Sequence, residues 1–169
     1  MLTKLILKNF RCYSHHTIEF KGLTIVVGKN NAGKSTLVEA MRLVAMACSR
    51  LKSSGYKNVP DWLDLPKKCR GISTRTTYFD FNKENISYLY NDESSTITAI
   101  FSNDTRITVH VKHVEDLEVE PEFFCTFQDS LGNYVQNKND PSLATLPVIN
   151  ILPQISAIQK EEKKLASED

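Results

Sequence analysis

The sequence predicts an α/β fold, a mixed sheet around one central helix followed by an antiparallel β lobe. Three observations carry that prediction. An apolar run, Leu23-Thr24-Ile25-Val26-Val27, ends in Gly28-Lys29-Asn30-Asn31-Ala32-Gly33-Lys34-Ser35-Thr36, which contains Gly-x-x-x-x-Gly-Lys-Ser. An apolar-periodic segment follows at once, so the glycine loop stands between a predicted strand and a predicted helix, as a phosphate-binding P-loop requires. From Thr76 onward the pattern changes to short β segments whose connections are too short for parallel crossovers.

The elements follow in order. Leu2 to Asn9 alternates, with Leu5 and Leu7 on one face and Lys4 and Lys8 on the other, which predicts a strand. Arg11 to His16 is a polar connector, and Thr17 to Phe20 is a second short strand turned by Lys21-Gly22 into the apolar run. The helix is expected from about Lys34 to Leu51. Leu37, Met41, Val44, Cys48 and Leu51 recur at spacings of 4, 3, 4 and 3 on one face, and Ser53-Ser54-Gly55 ends it. Residues 55–74 read as an irregular basic loop in which Asp61-Trp62-Leu63 forms at most a turn. Thr77–Phe81, Ile86–Tyr90, Thr96–Phe101, Arg106–Val114 and Phe123–Gln128 are rich in aromatic and β-branched residues and read as strands. Val148 to Leu152 is a last apolar strand, broken at Pro153-Gln154, and a charged helical stretch begins at Ile155. The expected division is a P-loop core at 1–55, a basic loop at 56–75, an antiparallel lobe at 76–135, and a strand with the start of a helical insertion at 146–169.

With 169 residues and 41% hydrophobic side chains, the chain is long enough for one domain with a real core. No apolar run approaches a membrane span, and the lysine-interrupted start lacks a signal-peptide core, so a soluble cytoplasmic protein with no membrane partner is expected. Cys12, Cys48, Cys69 and Cys125 are far apart and form no Cys-x-x-Cys pair, which in the cytosol reads as reduced thiols. The net charge of +1 hides an asymmetry. Residues 1–75 hold 14 Lys and Arg against 4 Asp and Glu, and residues 76–169 hold 7 against 16. A basic face that meets phosphates makes DNA a candidate partner; two solvated surfaces are the alternative. Lys67-Lys68-x-Arg70 is open to the same two readings.

The loop states its chemistry most clearly. Gly28 and Gly33 let consecutive N–H groups turn inward as an anion nest, and the following helix adds its N-terminal donors. Lys34 is placed to reach β- and γ-phosphates, and the Ser35 hydroxyl to ligate Mg²⁺. Two further motifs invite a GTPase reading: Asp129-Ser130-Leu131-Gly132 and Asn137-Lys138-Asn139-Asp140. Only four residues separate them, with Pro141 directly after, whereas in a GTPase they end different parallel strands with a helix between. A P-loop kinase would want an Arg-rich lid, for which Lys67 to Arg75 is a poor candidate. No apolar strand ends in Asp-Glu, and no Ser-Gly-Gly occurs, so half of a hydrolytic site is expected to lie outside this chain, after residue 169 or on a partner.

The combination resembles the N-terminal ATPase half of the RecF/SMC-like branch of ABC ATPases, including its OLD-like nuclease and phage-defence members. The residues that carry the resemblance are Leu5-Ile6-Leu7-Lys8-Asn9-Phe10-Arg11, Ile18-Glu19-Phe20 and Gly28 to Leu37, with the Asn30-Asn31 pair similar to the OLD-like form. The resemblance implies ATP as nucleotide, Mg²⁺ as cofactor, and an incomplete ABC/SMC-like head that binds ATP through Arg11, Gly28, Lys29, Asn30, Asn31, Ala32, Gly33, Lys34, Ser35 and Thr36. It implies Ser35 as Mg²⁺ ligand and Lys34 and a Q-loop Gln154 as catalytic groups, Gln154 also sensing the metal, with Gln159 a competing position. It further implies a head-to-head partner ATPase, either a homodimer mate or a C-terminal half, that sandwiches ATP. Dimerisation would gate DNA or an associated or fused nuclease in DNA repair or phage defence. A non-hydrolysing regulatory module of a split or degenerate ATPase is the alternative.

Overall fold

A computed structural model describes residues 1–30, 32–74, 81, 86–114 and 119–151. Among the described residues seven strands form one sheet: β1 (Leu2–Phe10), β2 (Tyr13–Glu19), β3 (Lys57–Asn58), β4 (Arg70–Thr74), β5 (Ser95–Phe101), β6 (Arg106–Val111) and β7 (Phe123–Gln128). The long helix described, α1 (Lys34–Ser53), packs on it. The spatial order is β2-β1-β5-β6-β7-β4-β3, and neighbouring strands are antiparallel. The α/β class and the antiparallel lobe are therefore as the sequence predicts. The expected mixed sheet is antiparallel throughout among the described residues.

Strand register explains the core. Leu5 pairs with Ala99, Ala99 with Ile107 and Ile107 with Phe127, so one apolar row crosses four strands. A second row runs from Leu7 through Ile97, Val109 and Cys125 to Ile72. Because side chains alternate across a strand, both rows share one face. All nine residues are fully buried. Against them α1 lays Leu37, Ala40, Leu43, Val44, Ala47, Cys48 and Leu51. The helix stripe read from spacing is thus the core face, widened by three small or aliphatic residues that a strict heptad misses. On the opposite face β5 is half-exposed, with Thr98 and Thr108 hydroxyls 3.2 Å apart, whereas His110, Phe124 and Thr126 on β6 and β7 are buried.

Six local expectations are corrected. Leu23–Val27 is not a strand: Leu23, Ile25 and Val27 are 82%, 76% and 83% exposed. A continuous apolar run suits a strand buried on both faces, but a strand exists only where a neighbour takes its N–H and C=O groups. Among the described residues none does so. Second, the antiparallel lobe is not a sheet apart from the β1–β2 pair; β5 pairs with β1 and joins the two in one sheet. Third, residues 55–74 are not wholly irregular, since β3 and β4 extend the sheet beyond β7. Fourth, Tyr88–Tyr90 within Ile86–Tyr90 is a 3₁₀ turn with Leu89 at positive φ. This segment wraps Asn9 instead of pairing edge to edge: the Tyr88 N–H donates to Asn9 Oδ1 at 3.1 Å. The second strand begins earlier than expected, at Tyr13, because Phe10 pairs with Tyr13 and Lys8 with His15 across a tight turn. Residues 148–151 take no regular structure. The remaining strand positions at 77–80, Leu152 and the helical stretch from Ile155 lie outside the described residues.

Candidate functional site

The glycine loop meets α1 at Gly33, which has φ +83°, a left-handed conformation that other residues adopt only under strain. Gly33 occupies the N-cap, yet no side chain caps the helix and its first turn holds no acidic residue. The first intrahelical bond is Leu37 N–H to Gly33 O at 3.0 Å, so the N–H groups of Lys34, Ser35 and Thr36 stand ahead of the ladder. An uncapped helix start without a carboxylate is an electropositive terminus suited to an anion. The Lys34 ammonium folds back across the loop and donates to the carbonyls of Gly28 and Lys29, each at 2.6 Å. A turn from Ala32 N–H to Lys29 O at 3.2 Å closes the loop beneath it. Lys29, Asn30, Ala32 and Ser35 are exposed, while Thr36 is buried. Asn31 lies outside the described residues, and so does Gln154.

The β1–β2 turn forms the wall beside this loop. Asn9 and Arg11 both have φ 52°, and each would be strained without support. The support is dense. The Asn9 side chain exchanges hydrogen bonds with the Asn91 amide at 2.7 and 2.8 Å, donates to Glu93 O at 2.8 Å and accepts from Tyr88 N–H. The Ser95 hydroxyl donates to Asn9 O. The Arg11 N–H donates to Ile86 O at 2.7 Å. The Arg11 guanidinium forms a two-pronged ion pair with Glu39 in α1, one prong at 2.7 Å, and lies 5.6 Å from the Phe10 ring and 5.2 Å from the Phe81 ring. Next in sequence, the Cys12 thiol donates to Thr36 Oγ1 at 3.7 Å, and the Tyr13 hydroxyl donates to Gly33 O at 3.4 Å.

The structure therefore brings Arg11 into the same region as Gly28–Thr36, with its guanidinium directed to Glu39. Sequence reasoning missed Glu39, Cys12 and Tyr13 as members of this region. The Arg11–Glu39 pair spans 28 residues, and no local spacing signals such a contact. Asn9 was visible only as part of the Asn-Phe-Arg pattern.

The two GTPase-like motifs are turn devices. The Asp129 carboxylate accepts from Leu131 N–H at 2.9 Å and Asn133 N–H at 2.8 Å, and the hydrogen bonds around this turn hold its pKa down. Asn137 accepts from Asn139 N–H, and Asp140 caps the short 3₁₀ helix Pro141–Thr145 by accepting from Ser142 N–H. Lys67, Lys68 and Arg70 are exposed. Among the described residues no group of three His, Cys, Asp or Glu side chains is placed to hold a metal ion, and no helix is long and apolar enough to cross a membrane.

The family model described as "AAA ATPase domain" matches residues 1–166. The DNA replication and repair protein RecF of Geobacillus thermodenitrificans is 37% identical over 71 residues, covering 41% of this chain and 19% of the relative. The RecF proteins of Geobacillus kaustophilus and Geobacillus sp. strain WCH70 are 35% and 40% identical over the same length. The chain thus spans 19% of the length of these curated relatives. The chain belongs to the AAA ATPase domain family, and it carries the RecF/SMC-like sequence pattern of a nucleotide-binding ATPase.

Proposed function

We propose that this chain is the ATP-binding part of a RecF-like ATPase that acts on DNA, in repair or in phage defence. The observation that carries the reading is the uncapped start of α1, with Gly33 at positive φ, Lys34 across the loop and an exposed Ser35 hydroxyl. These groups fit Mg-ATP. The N–H groups ahead of the helical ladder suit phosphate oxygens, and Lys34 would exchange its two carbonyl partners for the β- and γ-phosphates. Ser35 offers Mg²⁺ a hard oxygen ligand of the kind the ion takes beside phosphates. When bound, the metal would neutralise phosphate charge.

On this reading the exposed run Leu23–Val27 pairs with strands from the rest of the protein or from a partner, and those strands bring the carboxylate that hydrolysis needs. A head-to-head partner would close over ATP and gate DNA or a nuclease, associated or fused. That the relatives are DNA replication and repair proteins supports a DNA-directed role. A non-hydrolysing regulatory module is the second reading. It is favoured by the lack, in this sequence, of an apolar strand ending in Asp-Glu and of a Ser-Gly-Gly motif.

Two measurements test the reading. Duplex DNA should bind this chain with an affinity that falls steeply as salt rises, because lysines and arginines displace counterions; absent or salt-insensitive binding contradicts the DNA role. The isolated chain should turn over Mg-ATP negligibly. Steady turnover that Lys34→Ala abolishes would show that the site is complete without further strands and would overturn their proposed role.

A further inference from the structure

The β1–β2 turn owes its shape to a segment 82 residues further along the chain. Asn9 Nδ2 donates to Asn91 Oδ1 at 2.7 Å and to Glu93 O at 2.8 Å, while Asn9 Oδ1 accepts from Asn91 Nδ2 at 2.8 Å and from Tyr88 N–H at 3.1 Å. All four hydrogen-bonding positions of this buried amide are therefore filled, two of them by Asn91. Asn91 itself is exposed, and its Oδ1 also accepts from Glu93 N–H at 3.2 Å, which closes the turn that presents it. Ser87 Oγ donates to Glu93 O at 3.2 Å and lies 3.1 Å from His113 Nδ1, tying that turn to the chain after β6. The clamped β1–β2 turn carries the wall of the phosphate loop. Arg11 reaches Glu39, Cys12 Sγ lies 3.7 Å from Thr36 Oγ1, and Tyr13, which also packs on the core, donates to Gly33 O at 3.4 Å. The approach is close enough that a Cβ on Gly33 would lie 2.4 Å from the Tyr13 hydroxyl oxygen.

We propose that Asn91 is a positioning residue for the nucleotide: through Asn9 it fixes the left-handed turn, and through the turn it holds the start of α1 in the shape that takes phosphate. The proposal rests on the reading of Gly28–Thr36 as a phosphate site. Asn9 and Arg11 both stand at φ 52°, a conformation that persists only where the surrounding structure over-determines it. Without Asn91, two bonds of a buried amide go unmade and the turn loses that support. The contacts of Cys12 and Tyr13 then pass the movement to Thr36 and Gly33, because close-packed interiors transmit strain.

Calorimetric titration of the 169-residue chain with Mg-ATP tests this. Asn91→Ala is expected to weaken Mg-ATP about tenfold, within the range of residues that act on a site without touching its ligand. Ser95→Ala, which deletes the hydroxyl that donates to Asn9 O, loosens the same clamp from its other side and should weaken Mg-ATP by about threefold or more. Ile107→Val, a change in the buried core of β6 that touches no bond of the clamp, should lower the melting temperature yet hold Mg-ATP within about twofold of the parent. Amide NMR spectra of the nucleotide-free chain supply a second readout: the Gly33 and Ser35 signals should move in Asn91→Ala and stay in place in Ile107→Val. Mg-ATP affinity within about twofold of the parent in both Asn91→Ala and Ser95→Ala, or unmoved Gly33 and Ser35 signals, would overturn the proposal. An equal loss of affinity in Ile107→Val would overturn it too, by tracing the effect to stability alone. If the parent binds no Mg-ATP, or Lys34→Ala binds it equally, the phosphate-site reading fails and the affinity claim falls with it, whereas moved Gly33 and Ser35 signals would still show that Asn91 sets the loop.

Discussion

Glu39→Ala removes one side of an ion pair that joins the P-loop helix to the end of β1. The Glu39 and Arg11 side chains are 17% and 13% exposed, so solvent screens the pair only weakly. Breaking one side of a buried pair costs about 3–5 kcal/mol. Residual exposure places this pair at the lower end, about 3 kcal/mol. Arg11, whose backbone is held at φ 52°, also loses its side-chain tie to α1. For a domain of this length each kcal/mol moves the melting temperature by about 2–4 °C, so Glu39→Ala should melt about 6–12 °C below the parent. The assay is thermal and urea unfolding followed by far-UV circular dichroism, closed as a double-mutant cycle with Arg11→Met. Removing both partners should cost less than the sum of the single losses, with a coupling of about 2 kcal/mol. A Glu39→Ala loss below about 0.5 kcal/mol, the range of an ordinary surface change, would refute the claim that the pair staples helix to sheet.

Leu43 is fully buried on α1, and Leu43→Ala should cost about 2–5 kcal/mol in urea unfolding. Gly33→Ala forces a Cβ into the left-handed region and against Tyr13; it should lower Mg-ATP affinity at least tenfold, about 1.4 kcal/mol, in calorimetry. Burial pushes the His110 imidazole down to about 4. Its folded pKa lies below its unfolded value, so the unfolded chain binds more protons between about pH 4 and 6.5. The stability it contributes is present above pH 6.5 and is lost as pH falls toward 4, by roughly 3 kcal/mol. His110→Phe should flatten that part of the stability–pH curve; an unchanged slope would contradict the assignment. Cys12 is exposed, whereas Cys48, Cys69 and Cys125 are buried with their thiols pushed up to about 12, 11 and 12. A maleimide should therefore label Cys12 alone in the folded chain, and saturating Mg-ATP should slow that labelling because Cys12 touches Thr36.

What the sequence made legible depended on how local each cause is. The helix was readable because its apolar stripe repeats within 20 residues, and its start was fixed by Gly33. Phe123–Gln128 was readable end to end because three phenylalanines and Thr126 dominate it and no glycine or proline breaks it. Leu23–Val27 misled because apolar character marks a strand only when a neighbour pairs with it, and that information lies outside the run. Arg70–Thr74 was missed for the complementary reason: Gly71 and two polar residues hide a strand that exists because β7 offers it an edge. At the site, the loop announced itself through glycine and lysine spacing. The Arg11–Glu39 pair and the packing of Tyr13 on Gly33 join segments 28 and 20 residues apart, and only the folded chain discloses them.

The central claim is that Gly28–Thr36 holds the phosphates of ATP. Isothermal titration of the parent chain and Lys34→Ala with Mg-ATP tests it most directly. Saturable one-to-one binding by the parent that is lost in Lys34→Ala, in a variant that keeps the parent's circular dichroism spectrum, is the predicted result. Equal binding by the two proteins, or none by either, would contradict it.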